Sequence, residues 1–128
     1  MITCGTDIIK INRVKDSIER VGETFLKRVY TDEEIEYCES RRMCKYQSYA
    51  ARFAAKEAIY KAISPDVSSG SEWKDAEVCK LENGKPYIKL HGCLEKIALE
   101  KNIKNIELSL SHDDDYAIAC VVIDKEND

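Results

Sequence analysis

The stretch that most constrains the fold is Tyr46 to Ile63, whose pattern predicts one long central helix. Ala50, Ala54, Ala58 and Ala62 recur every fourth residue and make a stripe of small side chains on one face. Another element can approach such a face closely. Phe53, Ile59 and Ile63 supply bulk beside the stripe. Ser64-Pro65 is expected to end the helix, because proline disfavours helical geometry in the residue before it.

The segments around this helix alternate between two periodicities. Ile2 to Ile8 reads as a strand containing Gly5, with Asp7 at or near its end. Asn12 to Val29 reads as a helix, with Ile11, Val14, Ile18, Val21 and Phe25 at spacings of three or four and Gly22 a candidate interruption. Thr31-Asp32-Glu33-Glu34 is a capping box that starts a helix running to about Glu39. Ser40 to Lys45 is basic and irregular, and Pro65 to Trp73 reads as a loop. Ala76–Leu81 and Pro86–Leu90 read as strands joined through Asn83-Gly84, a strong hairpin signal. Cys93 to Lys101 is a short helix with Leu94, Ile97 and Ala98 inward. Ile106–Ser111 and Tyr116–Ile123 are two further strands. The order β-α-α-α-β-β-α-β-β predicts an α+β fold, a largely antiparallel sheet packed by helices. At 128 residues one domain is expected, spanning residues 1–128.

Charge and composition exclude several classes. No apolar run approaches the length of a membrane span, and the N-terminus lacks the pattern of a signal peptide. A cytoplasmic protein is expected. The six cysteines form no CxxC or Cys/His cluster, so they read as free thiols rather than zinc ligands or disulfides. The net charge of −4 argues against general nucleic-acid binding. It hides an asymmetry: residues 1–64 carry 12 Lys+Arg against 10 Asp+Glu, and residues 65–128 carry 8 against 14. A locally basic first half suits an acidic partner.

Within the long helix, Glu57 and Lys61 share a face at a spacing of four. That geometry fits a surface ion pair as well as a site. Asp7, taken alone at a strand end, reads as a turn or helix-cap residue sooner than as a ligand. If Asp7 and Glu57 meet, two carboxylates with waters and phosphate oxygens would suit Mg²⁺, and Lys61 would suit the phosphate. His112 ends the alternating strand Leu108-Ser109-Leu110-Ser111 and reads as either a loop histidine or a site residue. Asp113-Asp114-Asp115 is tempting as a metal site, but consecutive side chains diverge and a solvated turn is expected. His91 has no distinguishing context. Arg13, Lys15, Arg20, Lys27 and Arg28 make a charged face shortly after Asp7.

Taken in order, these segments resemble the holo-acyl-carrier-protein synthases, the small 4′-phosphopantetheinyl transferases. Gly5-Thr6-Asp7-Ile8-Ile9-Lys10-Ile11-Asn12-Arg13 matches the family's G-x-D-x-x-x-x-x-R, and Arg52-Phe53-Ala54-Ala55-Lys56-Glu57-Ala58-Ile59-Tyr60-Lys61-Ala62 matches its R-F-A-A-K-E-A-x-x-K-A. Asn83-Gly84-Lys85-Pro86-Tyr87 and Ser109-Leu110-Ser111-His112 leading into Tyr116-Ala117-Ile118-Ala119 extend the match over nearly the whole chain.

The resemblance implies transfer of the 4′-phosphopantetheine arm of coenzyme A to a serine of an acyl carrier protein. It implies that Asp7 and Glu57 hold Mg²⁺, that Lys61 contacts the diphosphate, and that Arg52 and His112 lie near the nucleotide. Arg13 would meet the acidic carrier, with Arg20 and Arg28 extending that surface, and Glu57 is the candidate base. The resemblance also implies a homotrimer with interfacial active sites. Where relatives carry a glycine-rich turn, this chain has Ser64-Pro65-Asp66-Val67-Ser68-Ser69-Gly70, so coenzyme A affinity or loop geometry is expected to differ. Two other readings stay open: a non-catalytic module binding coenzyme A or carrier protein, and a small metal-dependent phosphate-ester hydrolase.

Overall fold

The computed structural model describes residues 1–63 and 72–126. Its element order is β1 Ile2–Lys10, α1 Ile11–Val21, α2 Glu23–Val29, α3 Asp32–Ser40, α4 Lys45–Ile63, β2 Ala76–Lys80, β3 Pro86–Leu90, α5 Gly92–Glu100, β4 Ile103–His112 and β5 Tyr116–Lys125. Short 3₁₀ turns precede α4 and β2. The fold is α+β, and its strands form a three-stranded sheet in the order β1-β5-β4 and a two-stranded β2-β3 ribbon, both antiparallel.

The predicted first helix divides at Gly22, whose φ of 76° is open to glycine and strained for other residues. The division turns Val21 outward, so the residue expected in the core is 57% exposed. β1 runs two residues beyond its expected end and places Asp7 inside the strand, paired with Ala119. The capping box forms as expected: Glu34 N–H donates to Thr31 Oγ1, and Thr31 N–H donates to Glu34 Oε1. The Asp113 turn is a structural one, with Asp113 Oδ1 accepting from the backbone of Asp115 and Tyr116. None of the six cysteines is in a disulfide. The Ser64-Pro65 stop and the segment that departs from the glycine-rich turn lie outside the described residues.

Helix α4 lies across the inner face of the three-stranded sheet. Ala54, Ala58, Ile59 and Ala62 pack there against Ala119, Val121 and Ile123. Its alanine stripe meets β1 at Gly5, where a methyl group would sit 2.9 Å from Ala62 N and within the contact radius of the Ala58 carbonyl oxygen. Thr3 Oγ1 ties the same strand to the Ala62 carbonyl at 3.0 Å. The other sheet face is uncovered: Ile2 and Ile8 of β1 are 69% and 62% exposed, beside Ile118 and Val122 of β5.

Candidate active site

The close approach of β1 to α4 brings Asp7 to the helix face that carries Glu57 and Lys61. Lys61 Nζ donates to Asp7 Oδ1 at 2.9 Å and to the Thr6 carbonyl at 3.2 Å. Of the two readings of the helix face, Lys61 makes its ion pair across to the strand and not along the helix. Glu57 lines a cavity of about 330 Å³ with Asp7, Arg13, Ser17, Phe25 and Phe53. Burial pushes the Glu57 carboxyl above the ordinary glutamate range, the Asp7 charge pushes it further, and Lys61 opposes both. Two carboxylates that feel each other's charge across a cavity offer the oxygen donors a hard cation takes; among the described residues no third Asp, Glu, His or Cys joins them.

Arg13 reaches this cavity from the first turn of α1 and is exposed. Arg20 follows seven residues later, on the same face of α1. Arg28 is exposed in the last turn of α2.

Arg52 and His112 meet elsewhere. They line a separate cavity of about 210 Å³ with Tyr37, Lys80, Gly84 and Pro86. The Asn83-Gly84 segment contributes here because Gly84, at φ 89°, turns the β2-β3 connection toward His112. Arg52 is 5% exposed, and among the described residues its Nε has no hydrogen-bond partner. Its guanidinium lies over the Tyr37 ring, Cζ 4.2 Å from the centroid. A buried cation of this kind is costly without an anion, so the cavity is suited to receive one. A larger groove of about 620 Å³ opens on the other side of the same Tyr37, Arg52 and Lys80, against Glu77 and His91.

Sequence reasoning missed the network beneath these cavities. Lys56, next to Glu57, is fully buried and donates to Glu34 Oε1 at 2.8 Å and to the Ala76 carbonyl at 2.8 Å. Burial pushes the Lys56 ammonium below the ordinary lysine range, while the Glu34 charge works against that. Glu34 Oε2 accepts from Val78 N–H, and Thr31 Oγ1 donates to Glu77, whose other oxygen meets His91 Nε2 at 2.8 Å. The available signal was alanine on nearly every side of α4. A helix apolar all round is buried, so a lysine in its middle needs a partner.

A sequence model of the 4′-phosphopantetheinyl transferase superfamily matches residues 3–121, and the chain belongs to that superfamily. Over 119 residues it is 46% identical to a holo-[acyl-carrier-protein] synthase of Ruminiclostridium cellulolyticum, covering 93% of this chain and 89% of that one. A holo-[acyl-carrier-protein] synthase of Solibacter usitatus is 43% identical over 97% of this chain and 98% of its own. Within the superfamily, the chain is a holo-[acyl-carrier-protein] synthase family member. The Helicobacter pylori synthase, solved in complex with coenzyme A, superposes with a TM-score of 0.82 at 32% identity, covering 97% of this chain and all of that one. The Neisseria meningitidis synthase superposes with a TM-score of 0.87 at 30% identity, over 98% of this chain and 100% of its own.

Proposed function

We propose that this chain transfers the 4′-phosphopantetheine arm of coenzyme A to a serine of apo acyl carrier protein, releasing 3′,5′-ADP. The observation that carries the reading is the meeting of Asp7 and Glu57, from distant parts of the chain, on one cavity edged by Arg13, with Lys61 ion-paired to Asp7. The kinship with holo-[acyl-carrier-protein] synthases supports it independently.

In this reading the serine oxygen attacks the β-phosphorus of coenzyme A. A new P–O bond forms to the serine, and the bond to the bridging oxygen breaks, leaving that oxygen on 3′,5′-ADP. Asp7 and Glu57 would hold Mg²⁺, which when bound offsets the charge of the diphosphate. Lys61 uses two of its three ammonium protons on Thr6 and Asp7, leaving one for a diphosphate oxygen. Its charge then stabilises what develops on the leaving phosphate. Glu57 takes the serine proton, directly or through water. Arg13 and Arg20, on one face of α1, with Arg28 beyond, form the surface for the acidic carrier.

The nucleotide half of the site is best supplied by a neighbouring copy. Arg52 precedes Lys61 by nine residues, which turns the two to opposite sides of α4 and separates them by about 13 Å along its axis. One coenzyme A molecule meets both most simply when it lies between two protomers. The uncovered face of the three-stranded sheet, with Ile2, Ile8, Ile118 and Val122, supports a homotrimer built on that face. A cytoplasmic setting belongs to the same reading, supported by six cysteines outside any disulfide.

The test is mass spectrometry of apo carrier protein incubated with coenzyme A, Mg²⁺ and this protein. The expected result is a mass gain matching the phosphopantetheine arm. Carriers of both the fatty-acid and polyketide kinds left unmodified would overturn the reading.

A further inference from the structure

Tyr37 collects cations. The guanidinium of Arg52 from α4 lies 4.2 Å from its ring centroid, the ammonium of Lys80 from β2 lies at 4.7 Å, and Arg41 from the turn after α3 at 6.0 Å. Lys80 also donates to the Tyr37 hydroxyl at 2.8 Å. Among the described residues none of these three cations is ion-paired with a carboxylate. What offsets their mutual repulsion is the negative face of one ring and one phenol oxygen. Burial alone would push the Tyr37 phenol up, but the Lys80 hydrogen bond and the charges of Lys80, Arg52 and Arg41 outweigh it and bring the phenol below the ordinary tyrosine range. Tyr37, Arg52 and Lys80 line both the cavity of about 210 Å³ and that of about 620 Å³; Glu33, Asp75 and Glu77 stand on the larger one alone, so the gathered charge is least offset at the smaller, which holds His112.

We propose that Tyr37 is the positioning residue of the nucleotide site: its ring holds Arg52, Lys80 and Arg41 together as one cationic cluster facing the phosphates of the bound nucleotide. The inference rests on the transferase reading, because it takes the Arg52–His112 cavity as the place where the nucleotide lies. The frame around the ring fits that role. The capping box at Thr31 sets the start of α3 and thereby the face on which Tyr37 emerges. The buried Lys56–Glu34 pair locks α3 against α4 one helical turn from Arg52. Without the ring, three like charges from three elements have nothing to draw them together and spread toward solvent. Tyr37 touches no reacting atom, so its effect falls on binding of the nucleotide and not on the chemical step.

The experiment compares the unaltered protein with Tyr37→Leu and Tyr37→Phe. Calorimetry reads the Kd for 3′,5′-ADP, and steady-state transfer reads KM for coenzyme A, KM for carrier and kcat. Tyr37→Leu is expected to raise Kd and the coenzyme A KM about tenfold, with kcat and the carrier KM changed by less than about twofold. Tyr37→Phe keeps the ring and is expected to stay within about threefold of the unaltered protein. Unchanged nucleotide binding in Tyr37→Leu overturns the assignment, as does a Tyr37→Phe defect as large as that of Tyr37→Leu, or a fall in kcat alone. Tyr37→Met, which fills similar space without a ring, takes the place of Tyr37→Leu should the latter not fold. An unaltered protein that neither binds 3′,5′-ADP nor transfers the arm removes the transferase reading itself; intact transfer with a Tyr37→Leu variant that binds normally removes only the role of Tyr37.

Discussion

Replacing Gly5 by alanine tests how the site is held. The added methyl would lie 2.9 Å from Ala62 N, 3.2 Å from Ala62 Cβ and closer still to the Ala58 carbonyl oxygen. Two of these three atoms are helix backbone and cannot rotate away. β1 must therefore lift from α4 by about 1 Å to restore ordinary van der Waals separation. Overpacking of this kind costs about 3 kcal/mol. For 128 residues the unfolding entropy is roughly 0.27 kcal/mol/K, so the melting temperature should fall by about 11 °C. The same displacement carries Asp7 away from Lys61 and Glu57, since Asp7 is two residues further along the strand. A misplacement of about 1 Å can lower turnover about 100-fold. Urea denaturation and transfer assays at saturating substrates, both well below the melting temperature, read the two effects separately. A variant within about 0.5 kcal/mol of the unaltered protein, with full turnover, would refute the argument that backbone contact between β1 and α4 sets the site.

The buried pair and Glu57 give two further predictions. Lys56→Met leaves the Glu34 carboxylate buried without its cation and should destabilise by about 3 to 5 kcal/mol, with the double change Lys56→Met/Glu34→Leu recovering part of the loss; denaturation of the single and double variants checks this. Glu57→Gln should nearly abolish transfer while raising stability at neutral pH. The Glu57 carboxyl is raised in the folded protein, so its contribution to stability is most favourable below the ordinary glutamate range and is lost as pH rises through the folded value. Removing the charge should therefore leave stability unchanged in acid and increase it above that value, as read from melting curves across pH without added metal.

Much of the fold was readable along the chain because its signals are local. The alanine stripe, the capping box at Thr31-Glu34, the Gly22 break and the Asn83-Gly84 connection each depend on neighbours within a few residues. They determined the helices and strands and the α+β class. The motifs around Asp7 and Glu57 identified the family for the same reason, since each is a short contiguous pattern. Local periodicity could not decide which partner a charge takes. Glu57 and Lys61 lie at the spacing of a helical ion pair, yet Lys61 turns to Asp7, fifty-four residues away, because Gly5 admits β1 against the stripe. Val21 fitted the apolar period and is exposed, because the turn at Gly22 redirects its helix. Residue spacing marks neither Lys56, which is buried against Glu34, nor Tyr37, which gathers three cations. Sequence alone determined where most helices and strands lie and which family the chain joins. The pairing of its charges was decided only when strand, helix and hairpin packed, because the strength of each pair depends on burial and through-space distance, and neither is encoded in residue spacing.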